Sequence, residues 1–192
     1  MKKLLLLFSS VLFLICPSAV SQNDTIWYDT NWNTIERKNA SFFRPKVDQK
    51  KNGYWIVDYY ISGSKQMEGL SIKADTEVFE GKVVWFFENG NTFQEVHYKK
   101  GVLDGKRTVY FENGELKSIG HYKDGKKDGD WKAMFENGNV MEVGSYENGQ
   151  REGNWKIYYA NGKLKEEGKY VFDRKVDVWK VNYYDGTEQK EF

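Results

Sequence analysis

The sequence predicts an all-β fold, an elongated single-layer antiparallel meander of repeated β-hairpins. Three observations carry that expectation. A 24-residue frame recurs as residues 81–104, 105–128, 129–152 and 153–176, with a truncated copy at 177–192. Within a copy, successive side chains alternate between two sets, as in Trp131-Lys132-Ala133-Met134-Phe135, the period of a strand with two distinct faces. A turn dipeptide stands at one place in the frame, as Asn89-Gly90, Asn113-Gly114, Asn137-Gly138 and Asn161-Gly162, with Asp185-Gly186 in the last copy. Self-similarity at a fixed period means that each copy is one supersecondary unit stacked on its neighbour, so it sets the architecture of the whole chain.

Residues 1–21 read as a secretory signal peptide. Lys2 and Lys3 precede an apolar run at 4–15 broken only by Ser9 and Ser10, and Ala19 and Ser21 are the small residues of a cleavage site beyond Pro17. The run is shorter than the roughly 20 residues of a spanning helix, so the expected product is a soluble exported protein, periplasmic or extracellular, that begins at or near Gln22. Cys16, the one cysteine of the chain, lies in this leader, which leaves the mature protein without a disulfide or a thiolate metal site.

Residues 22–52 stand outside the frame. Thr25-Ile26-Trp27-Tyr28 and Ser41-Phe42-Phe43-Arg44 read as short strands, the second ended by Pro45; a polar turn region at 31–39 separates them and a charged loop at 46–52 follows. Terminal repeats expose a sheet edge, and this segment is the expected N-terminal cap over it.

The array proper is residues 53–192. Its first copy, 53–80, is divergent: residues 54–61 read as a strand, Ser62-Gly63 takes the turn, and Met67-Glu68-Gly69 matches Ser118-Ile119-Gly120 in distance from the turn glycine. About three extra residues fall at 74–80, where a loop absorbs them at little entropic cost. If Asn137 and Gly138 are the two positive-φ residues of a type I′ turn, counting outward pairs Phe135 with Val140, Ala133 with Glu142 and Trp131 with Gly144. Trp155 faces Gly168 by the same count. An indole opposite a strand glycine marks a close approach. The two earlier copies place Arg107 opposite Gly120 and Val83 opposite Val96. The expected structural positions of the repeat are thus Trp131, Gly138, Gly144, Tyr146, Trp155, Gly162, Gly168, Tyr170 and Trp179. Links such as Lys123-Asp124-Gly125-Lys126 are too short for a crossover helix, so successive strands are antiparallel neighbours.

Composition narrows the function. Twenty-nine basic residues against 28 acidic ones, interspersed, leave no electrostatic footprint for nucleic acid. With two histidines and no mature cysteine, the usual nucleophile and base pairings cannot be assembled, and no hydrolase elbow or phosphate loop occurs. The expectation is a protein that is not an enzyme and takes no cofactor. His97 and His121 share a frame position that Ser145 and Lys169 fill next, so no third ligand recurs for a metal. Asp104, Asp128, Glu152 and Asp177 read as turn residues bonding nearby backbone, not as calcium ligands. Trp131, Phe135, Trp155, Tyr159, Trp179 and Tyr183 share one sheet face, which is either the core of a one-layer sheet or a binding groove. On the other face run Lys132, Lys156 and Lys180. Phe86, Tyr110, Tyr158, Lys132 and Lys156 on that face make up the candidate binding surface.

The pattern G-x-W-x-x-x-[YF]-x-N-G, followed by G-x-Y and then x-x-G-x-x-[DE]-G, resembles the variant MORN repeat of bacterial proteins, often described as antitoxin-like. The resemblance covers residues 53–192 and is most specific in the copies at 129 and 153. Residues 24–60, with Asn31-Trp32, Asn39-Ala40 and Phe43-Arg44, resemble the leader region of periplasmic repeat proteins from Bacteroidota. The resemblance implies a long twisted sheet used as an interaction surface or scaffold. The expected partner is another envelope or secreted protein; a polysaccharide or membrane surface, or an antitoxin-like immunity role, is the alternative.

Overall fold

The computed structural model describes residues 25–189. The expected leader at 1–21 lies outside the described residues, as do 22–24 and 190–192. Within them one sheet contains fourteen strands, and the sole helical element is a 3-10 turn at Arg37–Asn39. The N-terminal strands are β1 (Ile26–Tyr28), β2 (Phe42–Arg44) and β3 (Asp48–Lys50). The first hairpin is β4 (Gly53–Tyr60) with β5 (Lys65–Ser71), and the second is β6 (Gly81–Phe86) with β7 (Thr92–Lys99). Then follow β8 (Val102–Tyr110), β9 (Leu116–Lys123), β10 (Lys126–Met134), β11 (Val140–Glu147), β12 (Gln150–Tyr158), β13 (Leu164–Val171) and β14 (Arg174–Val181).

Each strand from β4 onward pairs antiparallel with the next in sequence. The sheet is therefore an open meander, roughly 55–60 Å across its strands at about 4.8 Å per spacing. The one departure lies at its start. β2 pairs with the end of β4 through Phe42↔Tyr60 and Phe43↔Tyr59, while β3 pairs with its beginning through Asp48↔Trp55 to Lys50↔Gly53. Both strands thus lie along one edge of β4, with Pro45 between them, and β1 adds outside β2. Residues 48–50, expected in a loop, are extended because the outer edge of β4 offers them unpaired backbone groups.

Two kinds of turn alternate along the array, and the type I′ turns are not the Asn-Gly ones expected. At Asn137-Gly138 only the glycine has positive φ (82°). The Gly138 N–H donates to Phe135 O (3.0 Å) and the Phe135 N–H to Asn139 O (2.8 Å), which is a type I turn followed by a left-handed glycine, not type I′. The extra residue shifts the register between Ala133 and Met134, so Val140 pairs with Met134 and not with Phe135. Beyond the shift, Ala133↔Glu142 and Trp131↔Gly144 stand as counted. The type I′ turns lie at the other end of the strands, at Lys100-Gly101, Asp124-Gly125 and Asn148-Gly149, where both residues have positive φ.

Both ends are stitched from one hairpin to the next. Asn137 Nδ2 and Asn139 Nδ2 donate to Ala160 O at 2.7 and 2.9 Å, and Asn161 Nδ2 donates to Tyr184 O at 2.9 Å. At the opposite end the N–H groups of Gly101, Gly125 and Gly149 donate to Phe79 O, Leu103 O and Lys127 O, each at 2.8 Å. Of the recurring acidic residues Asp128 and Glu152 serve these turns, as does Glu80 at the same frame position. Lys100 N–H donates to Glu80, Asn148 N–H to Asp128 and Phe172 N–H to Glu152.

The buried core is concentrated near the N-terminal end, where Ile56, Met67, Phe79 and Val83 pack together beneath Val47, Trp85 and Tyr98. Beside it Arg44 forms a two-pronged ion pair with Asp58, Nε to Oδ1 at 2.6 Å and Nη2 to Oδ2 at 2.7 Å, and also reaches Glu77. Asp58 is 0% exposed. Burial opposes charge on Arg44, but its bonds to Asp58 and Glu77 outweigh that and hold its pKa above the usual arginine value. Residues 72–80 wrap around the buried Ser71 hydroxyl, which donates to Lys73 O and accepts from the N–H groups of Lys73 and Val78.

Candidate functional site

The tryptophan face is an interlocked ladder. Successive rings of Trp131, Tyr146, Trp155, Tyr170 and Trp179 meet edge to face, with centroids 5.7, 5.2, 5.9 and 4.9 Å apart. Such contacts contribute about 0.5–1.5 kcal/mol each beyond area burial. Trp155 is 0% exposed although, among the described residues, no second layer covers the sheet. The reason lies in the glycines. Each strand has two neighbours, so Trp131 is in register with Gly144 on one side and with Gly120 on the other. The indole lies over the earlier one: a Cβ placed on Gly120 would meet Trp131, one on Gly144 would meet Trp155, and one on Gly168 would meet Trp179. The expectation that Trp131 packs on Gly144, and Trp155 on Gly168, is corrected here; each indole covers the glycine of the hairpin before its own.

A row of cations completes the ladder. Lys127 Nζ stands 3.6 Å from the centre of the Trp131 ring, the Arg151 guanidinium 4.9 Å from that of Trp155, and Lys175 Nζ 4.1 Å from that of Trp179. These positions are 24 residues apart, a recurrence that marks them in the sequence, but the strand pattern alone does not show which ring each one caps. Arg151 donates to the Tyr170 hydroxyl at 3.0 Å; burial works against its charge, and bonds to Tyr146 and Tyr170 outweigh it, raising its pKa. The indole N–H groups are all bonded, Trp131 to Glu142 Oε1 (3.0 Å), Trp155 to Ser145 O (3.1 Å) and Trp179 to Lys169 O (3.2 Å).

The opposite face has a different character. Phe86, Tyr110 and Tyr158 recur there at one frame position, each half-buried, and Lys132 and Lys156 lie two residues before the corresponding positions in their copies. Lys156 pairs with Glu167 at 3.1 Å and Lys82 with Glu95 at 3.1 Å across adjacent strands. His97 and His121 lie on this face, and His97 Nδ1 is 3.1 Å from Lys106 O. Among the described residues no three potential ligands gather into a metal site. Gly138 and Gly162 sit at the turn tips, away from both faces.

Four stretches of the chain, residues 79–100, 103–124, 127–148 and 151–171, match the MORN repeat variant family. Each match begins at the position that carries Phe79, Leu103, Lys127 or Arg151, so family copies and structural hairpins share one period. No curated protein matches the chain. One solved structure, described as the crystal structure of GtfA/B complex bound to UDP and GlcNAc, is 12% identical over 76% of this chain with a TM-score of 0.26; the chain spans 27% of its length. Residues 79–171 thus match the MORN repeat variant family as four tandem repeats, folded as consecutive hairpins of one open antiparallel sheet.

Proposed function

We propose that this is a non-catalytic repeat protein of the cell envelope, exported by its leader, that holds another envelope or secreted protein on the sheet face opposite the tryptophans. The observation that carries the reading is the complete burial of Trp155 within a single layer. Trp155 is sealed by Gly144, its flanking tyrosines and Arg151, and Trp131 and Trp179 are half-buried in the same stack, so the row is read as core. The other face, on which Val84 and Thr108 are buried, carries half-buried Phe86, Tyr110 and Tyr158 at one frame position, with Met134 between the last two, at about 9–10 Å per hairpin, and Lys132 and Lys156 in the later copies. Equivalent groups at regular spacing suit distributed contact with an extended partner, and aromatic side chains carry much of the energy in such contacts.

The test is a triple variant, Phe86→Ala, Tyr110→Ala and Tyr158→Ala, compared with wild type by capture from an envelope fraction and then by titration with the purified partner. The expected result is loss of binding with the strand signature retained. Binding that survives the triple variant but disappears in Trp155→Ala with an unchanged melt would make the tryptophan row the groove. Binding to purified polysaccharide or anionic vesicles alone, or turnover that persists through purification to homogeneity, would replace the protein-binding reading.

A further inference from the structure

The N-terminal end of the tryptophan face departs from the repeat. The frame position of Val109 and Ala133 holds Trp85, and the position of the capping cations Lys127 and Arg151 holds Phe79. Between these rings and the N-terminal segment lies a cavity of about 330 Å³, walled by Tyr28, Trp32, Phe79 and Trp85, with Gln66 and the carboxylates of Asp58 and Glu77 supplying its polar groups.

Three features of this cavity have no counterpart in the later copies. The first is Gln66, the extra residue of the β4–β5 bulge, where the register shifts between Asp58 and Tyr59. Bulges re-aim side chains, and here the Gln66 Oε1 is buried with no hydrogen-bond partner. The same frame position carries Phe93, Lys117, Met141 and Lys165 further along. A buried acceptor left unbonded is costly, and a ligand donor would relieve it. The second is Trp32, whose φ of 62° is rare for a bulky residue. Asp29 holds that conformation by accepting from the N–H groups of Asn31 and Asn33 and from Asn33 Nδ2. The third is charge. Two carboxylates line the cavity, and the Arg44 guanidinium that bonds both of them supplies one compensating charge.

We propose that this cavity binds a primary alkylammonium group. Its N–H donors reach the Glu77 carboxylate and, once the Gln66 amide turns its oxygen into the cavity, Gln66 Oε1, and its positive charge meets the ring of Trp85 and the face of Trp32 not stacked on Phe42, where cation–π attraction is strongest for indole. A quaternary ammonium offers no N–H to Gln66. A neutral pyranose can donate hydroxyls to the carboxylates but brings no charge to offset theirs. The volume is at the lower end of small-molecule sites, about 300–1,000 Å³, which fits one short amine and not a polymer. A free amine and a lysine side chain of a bound protein present the same group; the inference stands independently of the protein-binding face.

The full chain is titrated with n-butylammonium, 1-butanol, tetramethylammonium, methyl-β-glucopyranoside, and a single-lysine peptide with its lysine free or acetylated. Tryptophan emission and calorimetry follow binding. Saturable binding of n-butylammonium is expected, with 1-butanol and tetramethylammonium at least about tenfold weaker. Gln66→Leu and Trp32→Ala should each weaken it by about tenfold or more while the melt of Gln66→Leu stays at or above that of wild type. Tighter binding of the free-lysine peptide than of n-butylammonium, abolished by acetylation, identifies a protein lysine as the source; the reverse order identifies a free amine. Preference for the pyranose, equal binding of tetramethylammonium, or no saturable amine binding at millimolar concentration overturns the proposal.

Discussion

Replacing Gly144 with alanine probes the contact that seals the sheet. An added Cβ would stand 2.6 Å from Trp155 Cγ and closer still to Cδ2 and Cε2. The indole has little room to yield, because Nε1 is bonded to Ser145 O, Tyr146 and Tyr170 close on it edge to face, and Arg151 lies over it. Alanine in a strand is otherwise favoured over glycine by roughly 0.5–1 kcal/mol. Overpacking a tight site costs about 1–3 kcal/mol. If Trp155 were expelled instead, exposing about 150–250 Å² at about 25 cal/mol per Å² would cost about 4–6 kcal/mol, which bounds the effect. The expected net destabilisation is about 2 kcal/mol, read by urea unfolding of the full chain. Trp155→Val in the Gly144→Ala background should recover part of it, since the chain itself seats Val83 over Gly69 and places Val96 beside Arg107. The double-mutant cycle should show a coupling of at least about 1 kcal/mol. Gly138→Ala, with open space around its Cβ position and φ of 82°, should cost only the left-handed strain of about 1–2 kcal/mol and show no coupling to Trp155. A Gly144→Ala variant within about 0.5 kcal/mol of wild type, or a cycle without coupling, would refute the packing of indole on the preceding glycine.

Arg44→Met should destabilise the N-terminal hairpins by about 3–5 kcal/mol because it strands the fully buried Asp58 carboxylate, and Arg44→Met with Asp58→Leu should recover most of the loss in thermal melts. The Asp29 pKa lies below its ordinary 3.8, first because Asn33 Nδ2 bonds the carboxylate and then because backbone N–H groups do. A lowered folded pKa means that the stabilisation is complete above pH 3.8 and is lost as pH falls through the folded value; the NMR indole signal of Trp32 should shift in that window and not in Asp29→Asn. Asn137→Ala removes the bond to Ala160 O and that from the Asn139 N–H to Asn137 Oδ1, so it should cost about 1 kcal/mol and speed amide exchange in the neighbouring turn.

The 24-residue period, the alternation of faces and the shortness of every link are local properties of the chain, and they were enough to predict a meander of antiparallel hairpins with Trp131 level with Gly144. Turn type was not legible at Asn137-Gly138, because the dipeptide fits both a two-residue type I′ turn and a type I turn with a left-handed glycine; a one-residue bulge on β11 separates the two. Nor did the alternation show toward which neighbour an indole leans, since Gly120 and Gly144 are both in register with Trp131. That direction is set by packing of three strands at once, with Tyr146 and Lys127 closing over the ring. The Arg44–Asp58 pair and the cavity between Trp32, Gln66 and Trp85 join residues of the N-terminal segment to frame positions whose residue types do not recur in the later copies. A repeat records which side of a strand each residue takes and how strands succeed one another. Contacts among unrepeated residues distant in sequence leave no period to read, and they exist only once the N-terminal segment has folded back over the first hairpins.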